Sequence, residues 1–82
     1  MKNFHVLLQT LIDTSAKPNS ILCFCRDLYE YKQAQYNYKN TPSKAVQSVR
    51  YDILASQYSL VRDWLKTFNL EDKYKPEDFI DE

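Results

Sequence analysis

Glycine is missing altogether from these 82 residues. That excludes glycine-rich phosphate loops, the usual two-residue hairpin turns and nucleophile elbows, which need a residue at ease with positive φ or with close backbone approach. It favours helices joined by short turns of proline, asparagine and serine. Histidine occurs once, at His5, and cysteine twice, in Cys23-Phe24-Cys25. A metal site wants three or four ligands at suitable spacing, and this set does not supply them. His5 has no nucleophile and orienting third group beside it, so it reads as a surface histidine rather than a base. On a helix, cysteines two apart point to nearly opposite sides and cannot bridge each other. They read as buried thiols, with a bridge between two chains as the other reading.

Net charge is also lacking: 11 basic residues balance 11 acidic ones, so no global field draws the chain to nucleic acid or membrane. No apolar run approaches the roughly 20 residues that span a bilayer. Gln9 and Asp13 interrupt the apolar part of the N-terminus, which excludes a signal-peptide pattern there. The expected location is the cytoplasm. Paired carboxylates occur at Asp27/Glu30, Glu71/Asp72 and Glu77/Asp78. Asp27 and Glu30 look like ordinary helix-surface acids flanked by Arg26 and Lys32, and Ser56 and Ser59 have no plausible base. The chain therefore reads as a non-enzyme with no cofactor.

What is present is helical periodicity. The expected fold is all-α: a small antiparallel bundle with main helices over residues 3–16, 20–39 and 42–68 and a short C-terminal helix, in a single domain over 1–82. Asn3 can cap the first helix, whose face is Phe4, Leu7, Leu8, Leu11 and Ile12. Lys17 precedes Pro18 and is pushed out of the helical region. Asn19 or Ser20 then caps the second helix, with the stripe Ile21, Phe24, Leu28, Tyr31, Gln35, Tyr38 and, beside it, Leu22, Cys25, Tyr29, Tyr36. A strand competes here, because Tyr29/Tyr31 and Tyr36/Tyr38 alternate with polar residues. The helix-favouring run at 32–35 and the absence of a dividing turn decide for helix.

The third and longest helix is the expected axis of the molecule. Thr41 reads as its N-cap, with Pro42 where a missing N–H is harmless. Val46, Val49, Ile53, Leu60, Val61, Trp64 and Phe68 recur at three- and four-residue steps, and Tyr51, Leu54, Tyr58 and Leu65 widen that face. Asn69 can take the left-handed position after the helix. Residues 70–82 carry six acids and two lysines. This acidic segment reads as a solvated end, with Pro76, Glu77 and Asp78 suited to a first helical turn and Phe79 and Ile80 able to dock.

Helix lengths make one region stand out. At 1.5 Å per residue the first helix spans roughly half of the hairpin formed by the other two. The hairpin tip, residues 29–51, has no third helix over it. Between Tyr31 and Arg50 lie four basic residues, Lys32, Lys39, Lys44 and Arg50, and no acid. Tyr29, Tyr31, Tyr36, Tyr38 and Tyr51 are interleaved with them. Tyrosine offers large contact area with few rotors and a polar end, which suits a protein interface. The bland reading is a thin two-helix core with wet tyrosines at its border. These nine residues are the candidate partner-binding set, with Tyr31, Tyr36, Tyr38, Lys32 and Lys39 foremost.

A larger protein partner is the expected ligand. In size and class the chain is similar to small stoichiometric inhibitors, immunity proteins and phage-encoded regulators. A nucleic-acid accessory role through the same tip is the alternative, weakened by a tip charge of only +4. A homodimer is also expected, because the apolar arc of the third helix is too wide for two short neighbours and two-fold pairing of the exposed hairpin tips would cover it.

Overall fold

The computed structural model describes residues 2–80. Three α-helices, α1 (Lys2–Asp13), α2 (Pro18–Lys39) and α3 (Lys44–Thr67), are followed by a 3-10 helix over Pro76–Phe79. No strand occurs among the described residues. The all-α bundle is thus the fold, and the tyrosine-rich stretch that alternates like a strand is continuous helix.

α2 and α3 form an antiparallel hairpin. Contacts run in opposite order along the two helices: Tyr38 meets Tyr51, Tyr31 meets Tyr58 edge-on, and Phe24 meets Phe68 edge-on, with ring centroids 5.8, 5.9 and 5.7 Å apart. Between the last two sits a polar tie. The Trp64 Nε1–H donates to Asp27 Oδ2 at 2.7 Å, and Asp27 is buried. Asp27 is therefore not the helix-surface acid that its charged neighbours suggest. Arg26 lies 3.6 Å from its other oxygen, and together these contacts answer for the burial of a carboxylate, which would otherwise be expensive.

The core gathers at the base of the hairpin. Leu7 and Leu11 of α1 meet Phe24, Leu28 and Tyr31 of α2, Val61 and Leu65 of α3, and Leu70 and Phe79 beyond it. The segment after α3 is therefore part of the core rather than a solvated end. Phe79 is 0% exposed, Pro76 and Leu70 are buried, and the Asn3 amide donates to the Asp78 carbonyl at 3.1 Å. The last turn is 3-10, opened by Asp78 Oδ2, which accepts from the Lys75 N–H at 2.9 Å. Asp81 and Glu82 of the acidic segment lie outside the described residues.

Several helix ends differ from their expected positions, each for a local reason. α1 stops at Asp13 instead of residue 16, because Ser15 turns to φ 60°. The Ser15 and Ala16 N–H groups then return to the Ile12 and Leu11 carbonyls at 3.1 and 3.0 Å, a Schellman closure. The same device ends α3, as anticipated for Asn69: φ is 60°, and Leu70 N–H reaches the Leu65 carbonyl at 2.8 Å. Leu70 and Leu65 are both buried, the apolar pair that usually accompanies this motif. Asn3 lies inside the first turn of α1 rather than capping it. α2 begins directly at Pro18, with Lys17 making no side-chain cap, so neither Asn19 nor Ser20 serves as cap. α3 is capped by Ser43, whose Oγ accepts from Val46 N–H at 3.4 Å. Thr41 instead donates its hydroxyl to the Asn37 and Tyr38 carbonyls at 2.9 and 3.0 Å, and so closes α2.

The larger correction concerns α3. Its inward line is Leu54, Tyr58, Val61, Leu65 and Phe68, with Trp64 beside it. Val46, Val49, Ile53 and Leu60, four of the seven residues of the expected core stripe, are exposed. The apolar arc is wider than one neighbouring helix can cover. Val61 and Leu65 sit where α1 and the C-terminal segment add area, and these anchors set the rotation of the whole helix.

Two substitutions test this account. Phe79→Ala is expected to cost about 3–5 kcal/mol, the range for emptying a buried aromatic site, measured by urea unfolding. A loss near zero would return the segment to solvent. Ser15→Gly is expected to raise stability by about 1 kcal/mol, because a left-handed residue with a Cβ is strained there.

Candidate functional site

α1 lies along the hairpin from the base, where Asp13 leads into α2, and its reach toward the tip ends near the middle, at Phe4. Past its first turn, the outer side of α2 has no helix over it, and a groove of about 550 Å³ opens there. Its floor and walls come from Phe4 of α1 and from Cys25, Leu28, Tyr29, Lys32, Gln33 and Tyr36 of α2. Residues 25, 29, 32 and 36 repeat at three- and four-residue steps, so they line one side of the helix over about three turns, roughly 16 Å. Tyr29 and Tyr36 are 67% and 63% exposed. Their rings stand in water beside an apolar floor, the disposition in which a tyrosine can surrender apolar area and keep its hydroxyl wet.

The nine expected partner-binding residues do not form one patch. Tyr29, Lys32 and Tyr36 line the groove. Tyr38 and Tyr51 lean on each other across the hairpin and belong to its tip. Lys39 and Lys44 are exposed beside the α2–α3 turn. Arg50 is committed to the fold: its Nη1 donates to the Asn37 carbonyl at 2.8 Å and to Thr41 Oγ1 at 3.3 Å. A cation at the carbonyl end of α2 also meets the negative end of the helix dipole.

Tyr31 is core. It is 4% exposed and packs edge-on against Tyr58. The reason lies in the helix phase: Tyr31 falls on the same line as Phe24 and Leu28, which α3 covers, whereas Tyr29 and Tyr36 fall on the far side. Phe4, Cys25, Leu28 and Gln33 were absent from the expected set. The row Leu22, Cys25, Tyr29, Tyr36 was the signal that held three of the groove's α2 positions together. Phe4 could be found only from where α1 stops.

The groove holds no evident reacting group. Burial pushes the Cys25 thiol up, which keeps it protonated and a poor nucleophile at neutral pH. Among the described residues, no three His, Cys, Asp or Glu side chains are placed to share a metal ion. What the surface can do is bind: an apolar trough with two tyrosines on its rim suits burial against another macromolecule.

A second cluster of phenols lies on the inner side of the hairpin. Tyr31 is pushed up to about 12, first by burial and then by the charge of Glu77 and the neighbouring Tyr58. Tyr58 is also raised, by burial first and then by a hydrogen bond to Glu77. An unfolded tyrosine ionises near 10. Between these values the unfolded chain sheds protons that the folded chain retains, so high pH favours unfolding. The stabilisation is complete below about pH 10 and is lost as pH rises through about 12. Urea midpoints measured from neutral to alkaline pH should hold level and then fall, and Tyr31→Phe should shrink the fall. An unchanged fall in that variant would exclude Tyr31 as its source. In comparisons with known proteins, no family model, no curated protein and no solved structure matches this chain.

Proposed function

We propose that this chain is a small non-enzymatic binding protein that occupies a surface of a larger protein, and that it docks through the outer groove of α2. The observation that carries this reading is the pair Tyr29 and Tyr36, two turns apart and mostly in solvent, beside the apolar trough that opens where α1 stops. A closed bundle of this size would gain by placing leucine or isoleucine inward and charge outward at such positions. Large, rigid, amphipathic rings left in water are the residues that dominate binding energy when a partner covers them.

The role that fits is a blocking one. A rigid helical body 44 Å long and about 21 Å wide can cover a site on a larger protein by contact alone. We place it among stoichiometric inhibitors or immunity-type factors of a phage or other mobile element, acting in the cytoplasm. No helix among the described residues is long and apolar enough to cross a membrane.

The nucleic-acid alternative finds less support. Arg50 is bonded to the end of α2 and Lys32 is half-buried in the groove wall. Lys39 and Lys44 remain as the exposed cations of the tip, few beside the several phosphate contacts that nucleic-acid affinity usually needs.

The test is capture of the partner from the native host with the tagged full chain, followed by titration of the purified pair. Tyr29→Ala and Tyr36→Ala should each weaken the complex by roughly 1–3 kcal/mol and leave the melting temperature nearly unchanged. Affinity should vary little with salt. A large drop in melting temperature with intact binding would mean the two tyrosines serve the fold. A ligand that proves to be nucleic acid, with affinity falling steeply on a log–log salt plot, would overturn the protein reading.

A further inference from the structure

We propose that two copies of this chain pair through the other side of the hairpin, α3 against α3 in antiparallel orientation. α1 and the C-terminal segment both pack on one side of the α2–α3 hairpin. The opposite side carries two shallow grooves, and every residue lining them belongs to α2 or α3. Its apolar content is a row on α3: Val46, Val49, Ile53 and Leu60, with Val49 and Ile53 60% and 51% exposed.

The spacing of that row says what covers it. Val46, Val49, Ile53, Ser56 and Leu60 follow alternating steps of three and four, the a and d positions of a seven-residue repeat, which are the positions that helices present to one another along a shared axis. The row is also self-complementary when reversed. With two helices antiparallel and centred between Leu54 and Ala55, Val49 faces the partner's Leu60, and Ile53 faces the partner's Ser56. Each large side chain thus meets a smaller one, which allows interdigitation. The next position of the repeat is Asp63, which meets the partner's Val46 at the two ends of the row, so the apolar seam is the central stretch from Val49 to Leu60.

Area agrees with a stable pair. α3 is about 36 Å long at 1.5 Å per residue, and the hairpin is about 20 Å across. The bare side therefore offers on the order of 700 Å², near the ~800 Å² that each partner gives to a standard interface. Asp52 and Asp63 border the row, which disfavours an anionic lipid surface. Apart from Tyr29 and Gln33, which line grooves on both sides, the trough on α2 stays open in the pair. The proposal therefore stands apart from the docking function argued for that trough.

Sedimentation of the full chain across the micromolar range tests it. The expected species has twice the 9.8 kDa monomer mass. Ile53→Asp should weaken the pair roughly a hundred-fold with helicity by circular dichroism unchanged. Val49→Asp and Leu60→Lys should each weaken it, and the two together should recover part of the loss because positions 49 and 60 face each other, a readout that does not depend on Ile53→Asp folding. A 9.8 kDa species throughout overturns the proposal and gives the face to a different partner. A dimer that tolerates Ile53→Asp, or in which Val49→Asp with Leu60→Lys recovers nothing, overturns the α3 antiparallel pairing.

Discussion

Four separate stretches of chain bring apolar side chains to one place, the lower half of the α2–α3 hairpin. Leu7 and Leu11, Phe24 and Leu28, Val61 and Leu65, and finally Leu70 and Phe79 close on each other there and are nearly all excluded from water. Among the described residues this is the one cluster large enough to offset much of the ordering of the backbone. Everything else follows from its position. The rotation of α3 is set by Val61 and Leu65, so the apolar residues a third of a turn away are left outside. α1 is spent on the base, so it stops short of the tip. The C-terminal segment folds back because Phe79 belongs to the same cluster.

That arrangement also explains the polar chemistry inside the hairpin. The tie between Trp64 and Asp27 lies at the border of the cluster, where an indole N–H needs an acceptor and water is scarce. A leucine at position 27 would leave the indole unpaired, and a leucine at 64 would leave a buried carboxylate with only Arg26 at 3.6 Å. The two residues therefore specify each other, and with them the register in which α2 slides against α3.

The helices, their order and the short reach of α1 were legible in the sequence, because prolines and apolar spacing act within a few residues of each other, although none of the expected N-caps serves as one. Asn69 could be placed because an asparagine is the residue best able to replace glycine in a left-handed turn. The face of α3 was not legible. Its apolar residues cover too much of the circumference for periodicity to choose between the Val46–Ile53–Leu60 line and the Leu54–Val61–Leu65 line. Only the contacts with α1 and Phe79 choose, and they come from distant parts of the chain. The same limit applied to the tyrosines. Tyr29 and Tyr31 are both aromatic and two residues apart, yet one is in water and the other in the core. Their difference is an angle around α2, and it acquires a meaning only when α3 is in place. Asp27 looked like a surface acid because nothing local marks the approach of Trp64, 37 positions later.

The unequal support along the hairpin has a further consequence. Hydrogen bonds of the same helix are guarded to different degrees: near Phe24 and Val61 they open only with the whole fold, whereas between Ala34 and Ile53 a smaller excursion suffices. The chain is therefore built with a gradient of amide exchange protection, steep from base to tip. A ligand seated near Tyr36 would flatten that gradient from the loose end and leave the slowest amides as they were. Occupancy of the far end would thus be written in the backbone's own exchange pattern, even for a partner that makes no change in shape.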